Sequence, residues 1–102
     1  MRKINELRKE IDEIDDQLVK LLNRRFQIAM AVAIEKSKET REMYDSEREK
    51  SIIKGCIETL RSQEGFDDMP PRISEFNIEA AVEATFLEIL RVSKNTQRQL
   101  VE

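Results

Sequence analysis

Five polar side chains interrupt the apolar faces of a helical sequence pattern: Arg25, Lys36, Glu49, Ser93 and Gln97. Arg25 occupies the seam position after Leu21, where a guanidinium loses water and needs a partner. Lys36 follows eleven residues later. At 100° per residue it lies on nearly the same face, roughly 16 Å further along the axis. Arg25, Ala29, Val32 and Lys36 therefore form one row, with a long cation at each end. Such a row suits a small anion. Asp45, Arg48 and Glu49 share a face at i, i+3, i+4, and Glu49 is in line with Ile52, Ile53 and Cys56. Ser93 and Gln97 extend the stripe of Val82, Phe86 and Ile89. Polar groups at core positions require buried partners. Each residue also has a structural reading. These are an ion pair or snorkelling for Arg25, a solvated helix-end cation for Lys36, a capping box for the Asp45–Glu49 segment, and a frayed end for Ser93 and Gln97.

The chemistry open to this set is narrow. The chain has no histidine and one cysteine, which removes the usual zinc ligands and histidine-activated nucleophiles and rules out an internal disulfide. Two glycines leave no phosphate-cradling loop, so no metal and no cofactor is expected. Cys56, on an apolar stripe, reads as an inert thiol, and Tyr44 as an amphipathic surface residue. The net charge of −3 argues against nucleic acid as a partner. No run approaches the roughly 18 apolar residues of a membrane span, and the basic start lacks the apolar core of a signal peptide. A cytoplasmic protein without membrane contact is the expectation.

The elements that must position these residues are helices. No Gly or Pro occurs from Met1 to Lys54, and Ile4, Leu7, Ile11, Ile14, Leu18 and Leu21 are spaced 3, 4, 3, 4, 3. This predicts one long first helix over about residues 3–38 with a coiled-coil-like seam. Asp45 and Ser46 are cap residues, and Ser46-x-x-Glu49 has the capping-box form, so a second helix starts there. Gly55 inside it costs about 1 kcal/mol relative to Ala. Residues 63–73, with Pro70-Pro71, read as a connector. A third helix is expected from Ser74 to the tail. The fold class is all-α, with one domain over residues 1–102.

Two shorter helices cannot cover a first helix of roughly 54 Å, because a compact chain of this size is only about 34 Å across. A homodimer pairing first helix with first helix solves this. Arg8 lies seventeen residues before Arg25, roughly 25 Å away and about 100° around the helix. Both cannot reach one small ligand from one straight helix, whereas an antiparallel partner helix brings its Arg8 alongside this chain's Arg25.

Leu7-Arg8-Lys9-Glu10-Ile11-Asp12-Glu13-Ile14-Asp15, Leu21-Leu22-Asn23-Arg24-Arg25, Lys36, Tyr44-Asp45-Ser46-Glu47-Arg48-Glu49 and Ser93-x-x-x-Gln97 together resemble the all-helical (AroQ-class) chorismate mutases. The likeness covers almost the whole chain and is most specific in its N-terminal half. It implies an intertwined dimer of three-helix chains that converts chorismate to prephenate on the route to phenylalanine and tyrosine. By match of position it implies that Arg25 holds the side-chain carboxylate and that Arg8 of the other subunit holds a substrate carboxylate. Lys36 and Gln97 would donate to the ether oxygen. Glu49 would bind the ring hydroxyl, helped by the backbone around Asp45, with Arg48 and Ser93 completing the contacts. The stretch from Glu49 to Ser93 is longer than in compact members, and its connector could meet another shikimate-pathway enzyme. Isochorismate-pyruvate lyase activity on the same fold is the rival enzymatic reading. A non-catalytic dimerisation or regulatory module is the third, and it leaves the polar interruptions unexplained.

Overall fold

The computed structural model describes residues 3–38, 45–68 and 77–101, which form three helices: α1, Ile4–Lys38; α2, Ser46–Arg61; and α3, Ile78–Val101. Among the described residues there is no strand. α3 is the central element and packs against both α1 and α2. The all-α class and the very long first helix expected from the 3–4 spacing are both present.

Local chemistry sets the helix ends. Lys36 and Lys38 lie in the last turn of α1, where cations oppose the negative end of the helix dipole. α2 starts at Asp45, whose extended backbone (φ −132°, ψ 97°) places its carboxylate to accept from the Arg48 amide at 3.0 Å. The cap is thus Asp45 alone. Ser46 is the first helical residue, and the Glu49 side chain pairs with Lys94 across the fold, so the expected Ser46–Glu49 capping box is corrected. Gly55 does not disturb α2, which is continuous through it. Beyond Arg61, Gly65 takes φ 67°, and a Cβ there would meet the Asp68 carboxylate at 2.8 Å. That left-handed conformation favours glycine, whereas the carboxylate is the end of a flexible side chain that can turn away.

Asn77 caps α3 by accepting from the Ala80 amide at 3.0 Å. The start expected at Ser74, the Pro70-Pro71 part of the connector and Tyr44 lie outside the described residues. Arg61 at the end of α2 grips Glu79 in the first turn of α3 through two hydrogen bonds, the one from Nη2 being 3.1 Å. This tie holds the two ends of the α2–α3 connection together.

The core is small. Among the described residues its buried apolar members are Ala33 of α1 and Leu90 of α3. The N-terminal seam of α1 is open, with Ile4 65%, Ile11 55%, Ile14 55% and Leu21 62% exposed. The shape is correspondingly elongated, 56 × 26 × 19 Å with a radius of gyration of 17.2 Å. A compact chain of this length would have about 13 Å. Among the described residues no helix is long and apolar enough to cross a membrane.

Candidate active site

The C-terminal half of α1, the start of α2 and the C-terminal half of α3 enclose a cleft of about 250 Å³. Small-molecule pockets run from about 300 Å³ upward, so it fits a compact ligand only. α1 contributes the predicted row, Arg25, Ala29, Val32 and Lys36, which lines one wall as helical spacing requires. The start of α2 contributes its cap Asp45 and, from the first turn, Arg48 and Glu49. α3 contributes Ser93 and Gln97, with Leu90 below them. Seven of the eight residues singled out from the sequence meet here. Arg8 does not: it is exposed on α1 and does not line the cleft.

Hydrogen bonds fix several of these side chains. Arg25 Nη1 donates to Ser93 Oγ at 3.3 Å, and Ser93 is only 6% exposed. Gln97 Nε2 donates to the Ala29 carbonyl at 2.8 Å. A frayed helix end is therefore not the explanation of Ser93 and Gln97, since both tie α3 to α1. Nor is a simple ion pair the explanation of Arg25. Among the described residues its hydrogen-bond partner is a neutral hydroxyl, which takes one of five guanidinium donors. The Gln97 amide likewise has a second N–H beyond the one held by Ala29.

Glu49 Oε1 lies 3.7 Å from Lys94 Nζ, a pair the sequence pattern does not reveal. Its members are forty-five positions apart on different helices, and no local spacing signals it. Ile28, Ile52 and Leu90 form apolar walls that also escape a reading of the sequence, because they look like any other core residues.

The cleft carries three cations, Arg25, Lys36 and Arg48, against two carboxylates, Asp45 and Glu49. Its net positive charge is opposite in sign to the chain's −3. Cys56 is a free, half-buried thiol. Burial pushes its pKa above the ordinary thiol value, with the Arg25 charge pulling weakly the other way. It stays a thiol at neutral pH and offers no nucleophile. Among the described residues no cluster of His, Cys, Asp and Glu has the makings of a metal site. A cleft that gathers cations and an amide donor can bind and orient a small anion and stabilise charge developing within it.

The family described as chorismate mutase type II matches residues 7–98, nearly the whole chain and every residue of the cleft. The chain belongs to that family. The matched region runs through α2 whole and takes in α1 from Leu7 and α3 as far as Arg98. A curated relative, the bifunctional chorismate mutase/prephenate dehydratase of Aquifex aeolicus (strain VF5), is 41% identical over 57 residues. That match covers 56% of this chain and 16% of the relative's length. No solved structure matches the chain.

Proposed function

We propose that this chain catalyses the rearrangement of chorismate to prephenate as a homodimer, each site completed by Arg8 of the other protomer. The observation that carries the reading is the meeting of Arg25, Lys36, Arg48 and Gln97 in one cleft of a chorismate mutase type II chain. The reaction breaks a C–O bond and forms a C–C bond within one molecule, with no proton or electron exchanged with the protein. The enzyme's tasks are to hold a flexible dianion in its compact reactive conformer and to favour negative charge growing on the ether oxygen.

Arg25 binds the side-chain carboxylate through its fork, steadied by Ser93. Lys36 and the second N–H of Gln97 serve the ether oxygen. The bond from Gln97 to Ala29 O fixes the amide beforehand, so little reorganisation is needed at the transition state. Glu49 accepts from the ring hydroxyl beside the Asp45 cap, and Arg48 adds charge opposite the carboxylates.

Exposed area supports the dimer. The chain exposes 8669 Å², whereas a compact monomer of its mass exposes about 6,000 Å². The excess of roughly 2,700 Å² per chain has the scale of an obligate interface. The open seam of α1 and the largely apolar groove between α2 and α3, lined by Gly55, Cys56, Leu60, Val82 and Phe86, are the surfaces available for it. The bifunctional relative motivates one further reading, that this chain works beside an enzyme acting on prephenate.

Purified protein given chorismate should yield prephenate, and no turnover by a folded dimer would overturn the proposal. The same preparation given isochorismate distinguishes the lyase, which would release pyruvate.

A further inference from the structure

Ser93, Lys94 and Gln97 occupy one stretch of α3, and each reaches a different partner. Ser93 holds Arg25, Gln97 holds the Ala29 carbonyl, and Lys94 meets Glu49. The first two tie α3 to α1. The third ties α3 to the first turns of α2, directly at the cleft wall. It differs from the ion pairs Lys38–Glu35, Lys50–Glu47 and Arg91–Glu88, which are local i,i+3 pairs on exposed helix surface. Lys94 and Glu49 come from separate helices, and their side chains are 29% and 27% exposed. Half-buried charges attract with less screening than surface pairs.

The site needs such a cation. On the reading given above, Glu49 presents a carboxylate to a ligand that already carries two negative charges. Unopposed, it would repel that ligand and favour rotamers pointing to water. The α2–α3 packing sets Lys94 beside it, outside the residues that line the cleft. From this geometry we infer that Lys94 is a positioning residue: it holds the Glu49 carboxylate against the cleft wall and offsets its charge, so that Glu49 accepts from the ring hydroxyl without repelling the dianion. The inference rests on the role proposed for Glu49.

The ring hydroxyl takes no part in bond making or breaking, so its contact is alike in ground and transition states. Loss of such uniform binding raises KM and spares kcat. Lys94→Met should raise KM for chorismate about three- to tenfold, with kcat little changed and the helical circular dichroism retained. Lys94→Arg should restore KM. Glu49→Ala should raise KM by itself, and adding Lys94→Met to it should raise KM no further.

A KM unchanged by Lys94→Met, in a protein where Glu49→Ala raises it, would overturn the positioning role while leaving the site reading intact. Additive effects in the double variant would also overturn it, because Lys94 would then act independently of Glu49. An equal fall of kcat with KM unchanged would assign Lys94 to the chemical step instead. Unchanged kinetics for Glu49→Ala would remove the site reading itself and the inference with it.

Discussion

Arg25→Ala probes the centre of the proposed site, and the structure separates its two costs. The first is structural. Arg25 donates one hydrogen bond, at 3.3 Å, to a Ser93 hydroxyl that is almost fully buried. Removing the donor leaves that oxygen without its partner, at a cost of about 1–3 kcal/mol. A serine in a helix can turn its own proton to the carbonyl four residues earlier, which puts the loss near the lower end. The second cost is catalytic. Truncating one member of a buried, hydrogen-bonded charge pair costs about 2–5 kcal/mol. At about 1.36 kcal/mol per decade this is roughly a 30- to 5,000-fold fall in kcat/KM. Arg25→Lys keeps the charge but loses the fork, so it should fall between Ala and the native residue. The assay is chorismate consumption, with circular dichroism and thermal melting on the same samples. Turnover of Arg25→Ala within about threefold of the native rate, with the fold retained, would refute the assignment. So would a fall in activity matched throughout by loss of helix.

Three further outcomes follow from the same geometry. Mixing Arg8→Ala with Arg25→Ala protein and allowing subunit exchange should restore about a quarter of native activity, since half of randomly paired dimers are mixed and each carries one intact site; no recovery after verified exchange would refute the site shared between protomers. Gly55 sits in regular helix, and a Cβ added there would meet nothing within 4 Å. Gly55→Ala should therefore stabilise the protein by about 0.5–1 kcal/mol in chemical denaturation if the α2–α3 groove stays open in the dimer, and a loss instead would place the partner's surface on this groove. The hydrogen bond from Arg61 holds the Glu79 carboxyl below the usual glutamate range. Its contribution to stability should therefore be present at neutral pH and down to the ordinary glutamate range, then fade as pH falls through the lowered native value. Arg61→Ala should return the Glu79 titration, followed by NMR, to the ordinary range, and an unmoved titration would refute the tie.

What the sequence made legible depended on how local the physics was. The ladder from Ile4 to Leu21 needs only the helical period, and α1 follows it. Arg25 and Lys36 could be placed in one row because a single straight helix fixes their relation, and both line the cleft. The α2 cap was ambiguous because Asp45 and Ser46 are adjacent and chemically alike in that role; backbone geometry decides for Asp45. The ties from Ser93 to Arg25 and from Gln97 to Ala29 span sixty-eight positions, so the stripe signalled that both residues need buried partners but not which ones. Lys94 carried no signal, since a lysine on a polar helix surface is ordinary until the opposing helix is in place.

The open seam of α1 has a consequence beyond the site. On the dimer reading, no separate equilibrium exists between a folded single chain and an assembled pair. The free energy that orders the first helix comes from the second copy, so folding becomes a bimolecular event. Each tenfold dilution would then lower apparent stability by about 1.4 kcal/mol, and the melting temperature would depend on how much protein is in the tube. Dilution would abolish helix and catalysis together, because the helix that anchors each fold is also the arm that delivers Arg8 to its neighbour.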